Sequence, residues 1–342
     1  MNDSARSRLQ SATRRRFAGL LAAGCAGVFL GVAWAAPPRF ELPIRCELGR
    51  DCFIQNYFDH DPGRHWRDYA CGPLSYDNHH GTDFRLLDLR QMNAGVPVVA
   101  GADGTVVRTR DGEPDVSVAK RGRAALQGRD AGNGVLIDHG DGWESQYNHM
   151  RRGSVRVKPG DRVRAGALLG LVGLSGKTEF PHVDFEVRKD GKPIDPFSPN
   201  SESPCGAPES TIWSADVLPA LRYRPTGLLI AGFSTSPPTR DEAEAGNYSS
   251  ADLRPDSNAV IFWAEAFGLR AGDRQVLELR GPAGEVLVRN ESLVESNKAV
   301  WFSFAGKRRT QARWPPGVYR ARYTIMRAGE FVVDASRDAV VP

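Results

Sequence analysis

Short apolar runs closed by glycine or aspartate recur from residue 76 onward, and this punctuation constrains the fold more than any other feature. Val96-Pro97-Val98-Val99-Ala100 is followed by Gly104-Thr105-Val106-Val107. Gly134-Val135-Leu136-Ile137-Asp138 runs into the turn His139-Gly140-Asp141-Gly142, and Trp143 to Tyr147 reads as the returning strand. Runs of this kind are hairpin signals. The chain is therefore expected to be all-β, which suits its 36 Gly and 23 Pro among 342 residues. Residues 110–132 interrupt the rhythm as a polar insertion, with a short helix expected around Val118–Gln127. A Ser/Pro-rich stretch from Pro199 to Pro208 marks a domain boundary. Beyond it, Ala259-Val260-Ile261-Phe262-Trp263, Val276 to Leu279, Ala299 to Phe304 and Tyr319 to Tyr323 alternate again. That spacing predicts an immunoglobulin-like β-sandwich over 220–342, after a linker at 201–219.

The first 35 residues read differently. Arg14-Arg15-Arg16 precedes an apolar stretch from Phe17 to Ala33 and then Ala33-Trp34-Ala35. A charged start, a short apolar centre and a small-x-small site are the order of a signal peptide cleaved before Ala36. Thr13 to Phe17 also resembles a twin-arginine signal, and Leu21 to Cys25 an imperfect lipobox. Export places the mature protein in the periplasm or outside the cell. No later apolar run approaches the roughly 20 residues of a membrane helix. Five of the 45 basic and one of the 41 acidic side chains fall in this leader, so the remainder is neutral and carries no argument for nucleic acid. Cleavage removes Cys25 and leaves Cys46, Cys52, Cys71 and Cys205. An even count in an exported protein favours disulfides, and four cysteines allow three pairings. The short separation of Cys46 and Cys52 favours that pair, in a segment 36–75, which leaves Cys71 for Cys205.

Four of the seven histidines fall in three short segments: His79-His80-Gly81-Thr82-Asp83, Tyr147-Asn148-His149-Met150 and His182-Val183-Asp184. On a strand, same-face side chains recur every second residue. His79 and Asp83 then share one face, as do His182 and Asp184, while His80 and Thr82 point away. Two such strands side by side gather imidazoles and carboxylates at one place. Zinc accepts both donor types, and three protein ligands leave a position open for water. Alone, each segment reads as an ordinary solvated pair; the combination with His149 carries the signal. His60, His65 and His139 lie in polar or turn contexts without an assigned role. Gly176-Lys177-Thr178 imitates the end of a phosphate loop, but Leu171 holds the required first glycine position, and no His-Glu-x-x-His helix exists.

These segments, in this order, resemble the LytM/lysostaphin-type zinc endopeptidases, which cleave peptide cross-links in bacterial cell walls. Their pattern is His-x-Gly-x-Asp, then Tyr-x-His-Leu, then His-x-His. Val157 to Val163, Gly166 to Gly170, Gly173 to Gly176 and Asp195-Pro196 resemble the family's turn-rich core. The resemblance covers 76–200 and implies an antiparallel β domain with an open groove. It implies that His79, Asp83 and Asp184 bind zinc, that His149 and His182 are the catalytic pair, and that peptidoglycan is the substrate. Asp184 stands where the family has its third ligand histidine. A second carboxylate donates more charge and leaves bound water less acidic, and it makes manganese or another oxygen-preferring ion more acceptable. The same replacement supports a second reading, a non-catalytic LytM-like module that binds cell wall or activates an amidase.

Overall fold

The computed structural model describes residues 36–199, 205–206, 210–248 and 253–342. The leader expected at 1–35 lies outside the described residues. Strands β1 (Cys52–Asn56), β2 (Gly81–Leu86), β3 (Pro97–Val99), β4 (Gly104–Arg110), β5 (Asn133–Gly140), β6 (Trp143–Met150), β7 (Arg162–Val163), β8 (Leu168–Leu171), β9 (His182–Lys189) and β10 (Lys192–Ile194) form the first region, with helices α1 (Leu89–Ala94) and α2 (Val118–Arg121). Seven strands run in the order β1-β2-β9-β6-β5-β4-β7, with β10 beside β9 and a separate β3-β8 pair. Neighbours along the path are antiparallel. The expected insertion helix is present as α2 and a 3-10 turn at Arg123–Leu126.

Alternation gives the large sheet two unlike faces. On β9, Val183, Phe185 and Val187 are fully buried on one face, and His182, Asp184, Glu186 and Arg188 occupy the other. On β2, Phe84 and Leu86 join the apolar face, opposite Asp83 and Arg85. Phe40, Phe84, Phe185 and Trp213 pack together under the apolar face. Trp213 falls in the stretch expected as a linker, yet it is buried, and Phe40 bonds the backbone on either side of it. Within the described part of 201–219, Ile212 and Trp213 thus belong to the core, whereas Ala215, Asp216, Leu218 and Pro219 are exposed. A Trp offers more apolar area than a loop can leave in water, and truncating one costs about 3–5 kcal/mol. Cys46–Cys52 and Cys71–Cys205 are both bonded, the second closing 134 residues. It ties the segment before β2 to the segment after β10.

The C-terminal region contains β11 (Gly227–Ser234), α3 (Arg240–Glu244), β12 (Ala259–Leu269), β13 (Arg274–Arg280), β14 (Val286–Leu293), β15 (Lys298–Arg308), β16 (Gly317–Arg327) and β17 (Glu330–Val341). Sheets β11-β12-β15 and β14-β13-β16-β17 enclose a second core around Phe262, Leu277, Tyr319, Tyr323 and Ile325. In an immunoglobulin constant domain the fourth strand joins the first, second and fifth. Here β14 stays beside β13, its hairpin partner.

This module docks on the first region through both apolar and charged contacts. Phe267 of β12 meets Phe53 of β1 edge-on at 5.6 Å. Arg85 of β2 is fully buried; it donates to Gln55 and Glu244 and lies 3.7 Å from the buried Glu265. Removing one member of such a group strands the others without water, which typically costs about 3–5 kcal/mol. Residues 37–342 accordingly make one compact unit.

Candidate metal centre

The centre arises from sheet register. Asn56, Asp83, Asp184 and Asn148 are successive cross-strand partners over β1, β2, β9 and β6. Two carboxylates therefore stand directly opposite each other at the middle of the row, an arrangement that is destabilising by itself. The flanking amides hold them in place. Asn56 Nδ2 donates to Asp83 Oδ2 at 2.7 Å, and Asn148 Nδ2 to Asp184 Oδ2 at 3.0 Å. The remaining oxygens, both Oδ1, have no hydrogen-bond partner despite burial, and His79 Nε2 shares that condition.

These three atoms lie within 4.8 Å of one another. His79 Nε2 is 3.2 Å from Asp83 Oδ1 and 3.7 Å from Asp184 Oδ1. A buried polar atom left unpaired costs about 1–3 kcal/mol, so three converging on one point call for a cation. One imidazole nitrogen and two carboxylate oxygens fit a divalent ion such as zinc. His79 Nδ1 is 2.8 Å from the Tyr57 carbonyl, to which it donates, leaving the Nε2 lone pair for the ion. The ring is also stacked on Tyr76, centroids 4.3 Å apart.

The cluster expected from the sequence is assembled, but two of its members arrive by other routes. His79 precedes β2 and is not on the strand, so it does not share a strand face with Asp83. The Tyr57 carbonyl and the Tyr76 ring turn it inward instead. His149 is the penultimate residue of β6, where alternation would send it to the face opposite Asn148. Its φ of 60° reverses the chain locally, a left-handed conformation uncommon for a non-glycine residue. The ring then lies 4.7 Å from that of His182, and its Nδ1 donates to the Ser175 carbonyl at 2.7 Å. His182 Nε2 approaches Asp83 Oδ1 at 3.4 Å, while Nδ1 contacts the Phe180 carbonyl and the Thr178 hydroxyl at 3.0 and 3.1 Å. Thr178 thus belongs to this site, and the imitation phosphate loop leads into β9 rather than a helix.

Burial and charge divide the titrating groups. Burial, with His182 alongside, pushes His149 down to about 4. Burial also disfavours charge on His79 and His182, but the negative carboxylates beside them, Asp83 foremost, more than offset this and raise both. Burial would raise Asp83, yet the two imidazoles hold it well below the usual carboxylate range. Burial beside Asp184 pushes Glu186 up to about 7.

Of the other histidines, His60 pairs with Asp195 at 2.7 Å, and His139 contacts the Ser145 hydroxyl and the Asp103 carbonyl. Neither joins the cluster. The sequence reading missed Asn56, Asn148, Tyr57 and Tyr76. Only Asn148 left a trace, since strand alternation puts it on the groove face. Gly81 has a specific duty as well, because a Cβ there would lie 1.8 Å from Asp184 Oδ1. Gly81→Ala should therefore displace that oxygen and weaken metal binding at least about tenfold, comparable to losing an outer-shell partner. Competition with a chromogenic chelator measures this, and unchanged affinity would contradict the placement of Asp184.

The family model for Peptidase family M23 matches residues 77–196. Peptidoglycan DD-endopeptidase ShyA of Vibrio cholerae is 33% identical over 122 residues, covering 36% of this chain and 23% of ShyA. Cell division protein DipM of Caulobacter vibrioides is 39% identical over 103 residues, covering 28% of this chain and 16% of DipM. The chain thus spans less than a quarter of either relative. A solved catalytic domain, a point mutant of the prophage-encoded M23 protein EnpA from Enterococcus faecalis, is 25% identical and covers 48% of this chain and 96% of its own, at a TM-score of 0.31.

Proposed function

Taking residues 77–196 as a Peptidase family M23 domain, we propose that the protein is an exported metal-dependent endopeptidase that hydrolyses peptide cross-links of bacterial peptidoglycan. The carrying observation is the convergence of His79 Nε2, Asp83 Oδ1 and Asp184 Oδ1, three buried atoms that make no hydrogen bond. These residues would hold one divalent ion, zinc in the first instance. When bound, such an ion supplies Lewis acidity to a carbonyl and lowers the pKa of water.

The protein's own groups supply proton transfer and orientation. His149 donates from Nδ1 to Ser175 and so keeps an Nε2 lone pair available to accept a proton. His182 is fixed through Nδ1 by Phe180 and Thr178, which directs Nε2 toward the site. Once protonated, it can donate from there to the oxygen that becomes negative as the peptide carbon turns tetrahedral. Asn56 and Asn148 prevent the ligand carboxylates from rotating away.

The signal-like leader supports export to the periplasm or beyond, and no helix among the described residues is long and apolar enough to cross a membrane. Asp184 favours the second reading, a module that binds wall or activates an amidase without cutting. Purified cell wall separates the two. The metal-loaded protein should convert cross-linked peptide dimers to monomers, resolved by chromatography. His149→Ala should retain metal while losing about 10²–10⁴ in rate. Wall binding without any dimer conversion by the unaltered protein would leave only the second reading.

A further inference from the structure

A cavity of about 570 Å³ separates the segment around residues 55–76 from the C-terminal module. Asn56, His65, Trp66 and Tyr76 line one wall, and Asn297 and Lys298 the other. Two of these touch the metal centre: Asn56 holds Asp83, and Tyr76 covers His79. The cavity is therefore one side chain removed from the ligands, and the C-terminal module supplies its second wall.

Its lining is selective. Trp66 and Tyr76 remain 49% and 44% exposed, large apolar faces left in water next to a reactive site. Among the described residues no carboxylate lines it, so Lys298 sets a positive sign. Lys298 carries its ammonium 5.2 Å over the Trp301 ring and has no carboxylate partner among the described residues. Asn297 accepts from the Ala271 backbone through Oδ1, leaving its amide NH₂ for a ligand carbonyl. Side-chain amides, exposed aromatic rings and one unpaired cation suit an extended peptide that bears a carboxylate.

We propose that this cleft is a substrate subsite that seats an anionic peptide strand of the cross-linked wall, with a free carboxylate on Lys298 and the chain against Trp66 and Tyr76. The identity of the strand rests on the hydrolase reading above; the charge and shape of the cleft do not. On this view the C-terminal module positions substrate and is more than a structural extension.

The test uses the full mature chain stripped of metal by a chelator, titrated calorimetrically with purified disaccharide-linked peptide dimers. Lys298→Glu and Trp66→Ala should each weaken binding at least about tenfold, or 1.4 kcal/mol. Dimers with amidated carboxylates should bind the unaltered protein as weakly as acidic dimers bind Lys298→Gln. Equal binding by the unaltered protein and all variants would overturn the proposal. After metal is restored, a raised KM with unchanged kcat in the variants supports it, whereas unchanged KM removes the cleft and leaves the hydrolase reading intact. Lys298-dependent binding without hydrolysis would keep the cleft and remove the hydrolase.

Discussion

His79→Ala should leave the protein folded, essentially free of metal and at least about a thousandfold slower on purified cell wall, because it removes the only neutral donor of a three-ligand set. The remaining pair, Asp83 and Asp184, would face each other across β2 and β9 without the imidazole that separates them. Two buried like charges in register repel, so the variant should take up a proton rather than keep a weakly held ion. The fold should survive, because His79 lies ahead of β2 and its truncation breaks no ladder hydrogen bond. A buried ring is lost from beside Tyr76, and an effect of about 1–3 kcal/mol on stability is expected from unfilled space. Elemental analysis of the purified variant, with a melting curve to confirm folding, decides the matter. Near-stoichiometric metal in a folded His79→Ala protein would show that the ion is held elsewhere.

The parts of this centre that the sequence disclosed, and those it did not, divide along a physical line. Alternation with a period of two is local, so it put His182 and Asp184 on one face, and the structure buries Val183 and Phe185 on the other. The ordered motifs then paired the right strands. Register is not local. Nothing in the chain announces that Asn56, Asp83, Asp184 and Asn148 align across four strands, because β1 and β2 are separated by 24 residues without regular strand. Departures from ideal strand geometry were equally hidden. His149 reaches the groove only through its positive φ, and His79 only because the Tyr57 carbonyl and Tyr76 ring turn it. The Ser/Pro composition of 199–208 suggested a spacer, but a few residues on, Trp213 is an apolar anchor under the same sheet. Composition reports how easily a backbone bends, whereas burial depends on what it meets. The docking of Arg85 on Glu244 and Glu265 joins positions 159 and 180 residues apart and left no local signal.

Asp184 is the position where substitution should speak most directly to mechanism. Asp184→Ala removes one of the three donor atoms, and also the acceptor that orients Asn148, so metal affinity should fall at least about a hundredfold. Asp184→His should behave oppositely. It replaces a charged donor with a neutral one, ends the repulsion against Asp83, and leaves the ion less neutralised by its ligands. A less neutralised ion polarises water more strongly. Hydrolysis should then equal or exceed that of the unaltered protein, by up to about tenfold, with the acidic limb of its pH profile moved to lower pH. One cost opposes this gain. Asn148 loses its bond to Asp184 Oδ2, worth about 1 kcal/mol, although Glu186 still accepts from it at 2.8 Å. Since the proposed gain acts on the reacting water and the cost only on a side-chain orientation, the gain should dominate in kcat. Metal content that stays unchanged in Asp184→Ala would exclude the ligand role and take the argument about charge with it. Metal that is lost in Asp184→Ala and regained in Asp184→His without any hydrolysis would instead make Asp184 a ligand in a protein that holds an ion but does not cut.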